Sequence, residues 1–102
     1  MHNTLPTDFY NGLVQMELHV RNHPGVMSHI CNLFSRRGCN VEAILCMPRP
    51  DGENSTIYLL LHENGRIPQM KRHAMNLQDV YDVTIGQAED SIFTSVGNWM
   101  NK

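Results

Sequence analysis

Residues 13–38 read Leu13-Val14-Gln15-Met16-Glu17-Leu18-His19-Val20-Arg21-Asn22-His23-Pro24-Gly25-Val26 and on to Gly38, and the period of the pattern changes within them. Up to Arg21 the apolar residues Val14, Met16, Leu18 and Val20 alternate with Gln15, Glu17, His19 and Arg21, the period of a half-buried strand. From Val26 onward, Val26, Ile30, Leu33, Phe34 and Arg37 follow helical spacing until Gly38 ends the run. The junction Asn22-His23-Pro24-Gly25-Val26 is therefore a strand-to-helix turn. Asn22 or His23 is expected to cap the helix, and Pro24 suits a first turn, where its missing N–H costs nothing. Gly25 lets another backbone or a small ligand come close. Open amides at the positive end of a helix dipole form a natural seat for a carboxylate. Every helix has such an end, so an ordinary capped start is the plainer account of the same residues.

The rest of the chain repeats these two periods. A second strand is expected over residues 40–47, with Val41, Ala43, Leu45 and Met47 on one face. Pro48, Pro50 and the pair Asp51-Gly52 break it into a hairpin loop over residues 48–54. Residues 56–62 are apolar on both faces, Ile57, Leu59 and Leu61 against Tyr58 and Leu60, as in a central or covered strand. Ile67, Met70, Ala74 and Leu77 predict a second helix over residues 66–77, and Tyr81, Val83 and Ile85 a last strand over 79–87. The order strand, helix, strand, strand, helix, strand is α+β, a ferredoxin-like βαββαβ unit with a four-stranded antiparallel sheet and both helices on one face. Residues 1–12 then form a polar arm, 13–87 the domain and 88–102 a tail.

That topology hosts many functions and decides none. It leaves the second sheet face open, where Ile44, Leu60 and Tyr58 are expected, and self-association is one way to cover it. In the tail, Ile92, Phe93, Val96, Trp99 and Met100 share one face of a short helix that Asp90 or Ser91 can cap. This stripe can pack on its own domain or on a partner, since Trp and Met are favoured at protein contacts.

Composition narrows the classes further. A chain of 102 residues supports one domain with a modest core. The run from Ile57 to Leu61 is too short to cross a bilayer, and the first eight residues lack the basic start and apolar block of a leader, so a cytoplasmic chain is expected. A net charge of −2 gives nucleic-acid binding no electrostatic support. The related RNA-recognition topology would need stacking aromatics on the central strands, and only Tyr58 is offered. Cys31, Cys39 and Cys46 are odd in number and match no metal or redox spacing, so reduced thiols are expected. Cys39 has a route to a lowered pKa through nearby Arg37, yet no histidine partner is fixed beside it. His19 and His23 lie four apart but on a strand and a loop, without the helical geometry of a metal pair. No phosphate loop, nucleophile elbow or metal-ligand cluster is present, and no carboxylate pair is forced to converge, so a non-catalytic chain without its own cofactor is expected.

Residues 21–27, Arg21-Asn22-His23-Pro24-Gly25-Val26-Met27, together with the run from Leu33 to Cys46, carry a family resemblance. They resemble an ACT domain, specifically the short regulatory (small) subunit of acetohydroxyacid synthase, also called acetolactate synthase. The likeness covers residues 13–87 and is strongest over the first helix and second strand. It is nearest to the short form of bacterial isozyme I, without the second C-terminal domain of longer relatives.

The resemblance implies a regulatory subunit that binds valine at the interface of a homodimer and controls a separate catalytic subunit. That catalytic partner, not this chain, would use thiamine diphosphate, magnesium and FAD. Carried over by motif position, the effector residues are Asn22, His23, Pro24, Gly25, Val26, Asn40 and Val41. Asn22 would bond the ligand's polar groups, the Gly25 and Val26 amides would receive its carboxylate, and Asn40 would come from the neighbouring subunit. Val26, Val41 and Ala43 are small enough to shape a pocket for an isopropyl group. His23-Pro24 departs from the acidic or Ser-containing loop of many longer relatives, which bears on how the ligand is held. Two other classes stay open: an interaction module that activates its enzyme without sensing anything, and a free-standing sensor of another small ligand.

Overall fold

The computed structural model describes residues 7–101, without the side chains of Thr7, Asp8 and Asp90. Its elements are β1 (Leu13–Arg21), α1 (Val26–Arg36), β2 (Val41–Pro48), β3 (Asn54–His62), α2 (Ile67–Met75), β4 (Val80–Gln87) and α3 (Ile92–Met100), with 3-10 turns at Thr7–Tyr10 and Ala88–Asp90. The strands form one antiparallel sheet in the order β2-β3-β1-β4. The continuously apolar β3 is one of the two central strands, as its sequence requires. Most of the expected arm, residues 1–6, lies outside the described residues.

The periods seen in the sequence set the main core. Met16, Leu18 and Val20 of β1 meet Ile57, Leu59 and Leu61 of β3 on the face covered by Val26, Ile30, Leu33 and Phe34 of α1 and by Ile67, Met70 and Ala74 of α2. All of these side chains are buried. Burying each large apolar side chain contributes about 1.5–3 kcal/mol, so this layer is what holds the sheet and helices together.

Two β-bulges correct the expected strand faces. In β2, Val41 pairs with Leu61 but Ala43 pairs with Leu60, which leaves Glu42 as an extra residue. Ala43 and Leu45 therefore lie on the opposite side of the sheet from Val41. Ile44, expected on the open face, pairs with Leu59 and lies on the helix side. In β4, Val80 pairs with Val20 and Asp82 with His19, so Tyr81 is the extra residue. Val80 and Val83 are buried while Tyr81, expected to continue the alternation, is 58% exposed. An extra residue in one strand breaks the period of two and re-aims the side chains around it.

The second sheet face is covered in part by the chain itself. Tyr10, Leu13, Leu60, Ala88 and Phe93 form a separate buried cluster, with Ala43, Leu45 and Tyr58 packed against it. The Ser91 hydroxyl accepts the Phe93 N–H at 3.2 Å and caps α3. Phe93 faces inward, whereas Trp99 (68%) and Met100 (70%) at the far end of α3 are exposed. The tail helix thus packs on its own domain through one end and leaves the other end open.

Candidate functional site: the start of the first helix

Three backbone and side-chain bonds fix the turn after β1. The Arg21 N–H donates to the Asp79 carbonyl at 2.8 Å, and the Asn22 N–H to the Glu53 carbonyl at 2.8 Å. Asn22 Nδ2 also donates to the Gly52 carbonyl at 3.1 Å. The turn is held by the strand on one side and the β2–β3 hairpin on the other. His23 Nδ1 approaches Asp79 Oδ2 at 3.7 Å, an ion pair only when the ring is protonated.

The residue that caps α1 is Gly25, not Asn22 or His23. Its φ of +91° is left-handed, and no side chain bonds the helix start. Glycine is used here because an L-residue at that φ is strained, although a Cβ would meet no atom within 4 Å. The His29 N–H donates to the Gly25 carbonyl at 3.0 Å, so the Met27 and Ser28 amides come before the first intrahelical bond. The Val26 amide, expected to be open, donates to the His23 carbonyl at 3.1 Å. The helix start therefore offers amides at Met27 and Ser28, without competition from a capping side chain.

The expected effector residues do not all meet in one chain. Asn22, His23, Pro24 and Gly25 gather at the exposed turn, but Val26 is buried in the main core. Asn40 and Val41 lie at the other end of the sheet. The Asn40 carbonyl accepts from the His62 amide, whereas Asn22 follows Arg21, which pairs with Asn54. Eight residues of β3 separate these levels, about 26 Å at the rise of a strand. Nor do Val41 and Ala43 share a face, so Val26, Val41 and Ala43 build no common pocket within one chain.

Sequence reasoning missed the cleft beside the turn. It is open, has a volume of about 560 Å³ and is lined by Arg21, Asn22, Gly52, Glu53, Asn54 and Tyr81. Tyr81 reaches it because it is the bulged residue of β4, and the hairpin residues arrive through the β3 pairing. The hairpin tip is ordered by Asp51, whose carboxylate accepts the Glu53 and Asn54 amides at 2.9 and 3.0 Å and the Asn54 side chain at 2.9 Å. The Asn54 and Glu53 backbone bonds and that side-chain bond hold the Asp51 carboxyl below its ordinary range.

Cys39 does not follow the route to a lowered pKa that Arg37 offered. Burial pushes its pKa up, only partly countered by Arg66, so Arg37 does not activate it. Among the described residues no group of histidine, cysteine and carboxylate side chains is placed to hold a metal ion. No helix among them is long and apolar enough to cross a membrane.

Residues 16–82 match the model of a family described as the AHAS small subunit-like ACT domain. The chain belongs to the AHAS small subunit-like ACT domain family. Its four-stranded antiparallel fold is that of ACT domains. Over 83 residues it is 46% identical to the acetolactate synthase isozyme 1 small subunit of Escherichia coli K12, covering 81% of this chain and 86% of the relative. Among solved structures it is similar to the acetolactate synthase small subunit of Thermotoga maritima, with a TM-score of 0.66 and 30% identity over 72% of this chain and 46% of that one. The ACT domain of the GTP pyrophosphokinase of Chlorobium tepidum shares the fold, with a TM-score of 0.59 and 16% identity over 72% of this chain and 95% of that one. This ACT chain accordingly belongs with regulatory small subunits, whose enzyme's catalytic activity sits in a large subunit.

Proposed function

We propose that this chain is the valine-sensing regulatory subunit of an acetohydroxyacid synthase and controls the catalytic subunit from outside its active site. The observation that carries the reading is the α1 start: a left-handed Gly25 without a side-chain cap, with open amides at Met27 and Ser28. A valine carboxylate binds this positive end, and Asn22, whose Nδ2 is engaged by Gly52, still has Oδ1 to accept from the ligand's ammonium.

Asn40 and Val41 can join Asn22, His23, Pro24 and Gly25 only from a second copy, since about 26 Å of strand divides them in one chain. The effector site is thus proposed to form between two subunits. Valine bound there shifts the population of dimer geometries presented to the catalytic subunit, which carries thiamine diphosphate, magnesium and FAD. A pocket distinguishes one methylene by only about 1–3 kcal/mol, so leucine and isoleucine are expected to act weakly rather than not at all. The surroundings are cytoplasmic in this reading.

The test is the melting temperature of the full chain against a panel of amino acids. Ligand at 100 times its Kd adds about 2.7 kcal/mol. A rise with valine, a smaller one with leucine and none with lysine is the expected result. The absence of any rise, with activation of the catalytic subunit retained, makes the chain an activator that senses nothing.

A further inference from the structure

We propose that the cleft between the C-terminal end of α1 and the first turns of α2 binds a small, multiply charged oxyanion of the phosphate type. It has a volume of about 260 Å³ and is lined by Arg36, Arg37, Arg66, Gln69, Met70 and His73. It is separate from the turn at Gly25, about 15 Å away along α1 from Val26 to Arg36.

Two observations converge on an anion. First, three of the chain's eight Lys and Arg residues line this one cleft, although the chain as a whole has a net charge of −2. Among the described residues none of these guanidiniums lies within ion-pair distance of a carboxylate. Glu63, an acid just ahead of α2, turns its Oε1 to the Gly65 amide of its own loop at 2.9 Å. Arginine cannot shed its proton, so the mutual repulsion persists until a counter-ion enters.

Second, the two helix ends bring both cations and free amides to this cleft. Arg36 and Arg37 sit at the negative end of α1, where cations are favoured. Arg66 is the N-cap of α2, and its guanidinium reaches back beside Gly38, just past the same end of α1. The Met70 N–H makes the first intrahelical bond, to the Arg66 carbonyl, which leaves the Ile67 and Gln69 amides ahead of it. An anion at the Arg66 side of the cleft is favoured by both those amides and the guanidiniums.

His73 lines the same cleft, so its imidazole reports on what enters it. The concave shape between two helices favours a compact ligand over an acidic protein segment, which a flat or protruding basic surface would suit better.

The full chain is titrated with inorganic phosphate and with pyrophosphate, against sodium chloride at matched ionic strength, by calorimetry and by the imidazole NMR signals of His73. Saturable binding with a shift of those signals is expected for one or both anions, and pyrophosphate should bind more tightly. The double variant Arg37→Gln/Arg66→Gln, exposed at both positions and checked for fold by circular dichroism, should weaken binding by about tenfold or more. Gly25→Asp should leave it unchanged, which separates this site from the valine reading. No saturable response beyond chloride, or equal binding by the double variant, overturns the proposal. If phosphate fails while the double variant loses activation of the catalytic subunit, the cleft is instead a docking surface for an acidic segment.

Discussion

Asn22 donates its side-chain amide to the Gly52 carbonyl at 3.1 Å, so the end of β1 and the tip of the β2–β3 hairpin are joined at the turn that begins α1. Asn22→Ala removes this bond at an exposed position and is expected to cost about 1 kcal/mol in urea unfolding. In the proposed function it also removes the acceptor for the ligand's ammonium, so valine should no longer raise the melting temperature. Asn22→Asp keeps an acceptor but loses the donor to Gly52. It should reproduce the stability loss while retaining part of the valine response.

Gly25 separates backbone strain from ligand binding. Gly25→Ala places an L-residue at φ +91° where a Cβ meets nothing, so the expected loss of about 1–2 kcal/mol is conformational. Gly25→Asp adds a negative charge at the amides proposed to receive the carboxylate. Enzyme reconstituted with this variant should be active and insensitive to valine; inhibition equal to wild type would count against the seat.

Docking of α3 rests on Phe93. Replacing it with Ala removes the buried side chain that joins Tyr10, Leu13, Leu60 and Ala88, with an expected cost of about 3 kcal/mol. Limited proteolysis should then cut within residues 92–100 well before the rest of the chain. A protease-resistant tail in the variant would show that other contacts hold the helix.

Asp51 makes the hairpin sensitive to acid. Hydrogen bonds from Asn54 and Glu53 lower its folded-state pKa relative to an ordinary carboxyl value of 3.8. The carboxylate therefore contributes stability above that value, and the contribution is lost as pH falls through the lower, folded value. Melting temperature against pH should lose part of its acid limb in Asp51→Asn, with little pH-dependent difference near neutrality.

Cys39 has the opposite sign. Burial raises its pKa, so its contribution is fully present below the ordinary thiol value of 9.0 and is lost as pH rises through the folded value. Iodoacetamide at neutral pH should label the exposed Cys31 first and reach Cys39 only on unfolding. Rapid native labelling of Cys39 would contradict its burial.

The regular periods made most of the fold legible. Alternation through β1, helical spacing in α1 and α2, and the two-faced β3 each reported a real core contact, because in these segments every residue advances the pattern by one. Legibility failed where that rule fails. Glu42 and Tyr81 are extra residues in their strands, so Ile44 and Tyr81 took positions the alternation did not give them. The α1 start was recognisable from Pro24-Gly25, but the left-handed φ that makes Gly25 the cap is a property of the folded turn. The open cleft depends on Gly52, Glu53 and Tyr81 meeting Asn22 across long sequence separations, and no local pattern records such a meeting. The same holds for Arg66, which approaches the end of α1 only once the two helices are packed.

The bulge in β2 also bears on how this strand tolerates changes of length. Because Glu42 is the residue without a pairing partner, losing it would turn two interrupted stretches of ladder into one continuous ladder and leave every neighbour on its present side. Loss of any residue from 44 to 47 would instead exchange inside for outside along part of the strand. Among related sequences, a one-residue gap in this strand should therefore fall at position 42, and by the same reasoning one in β4 at position 81.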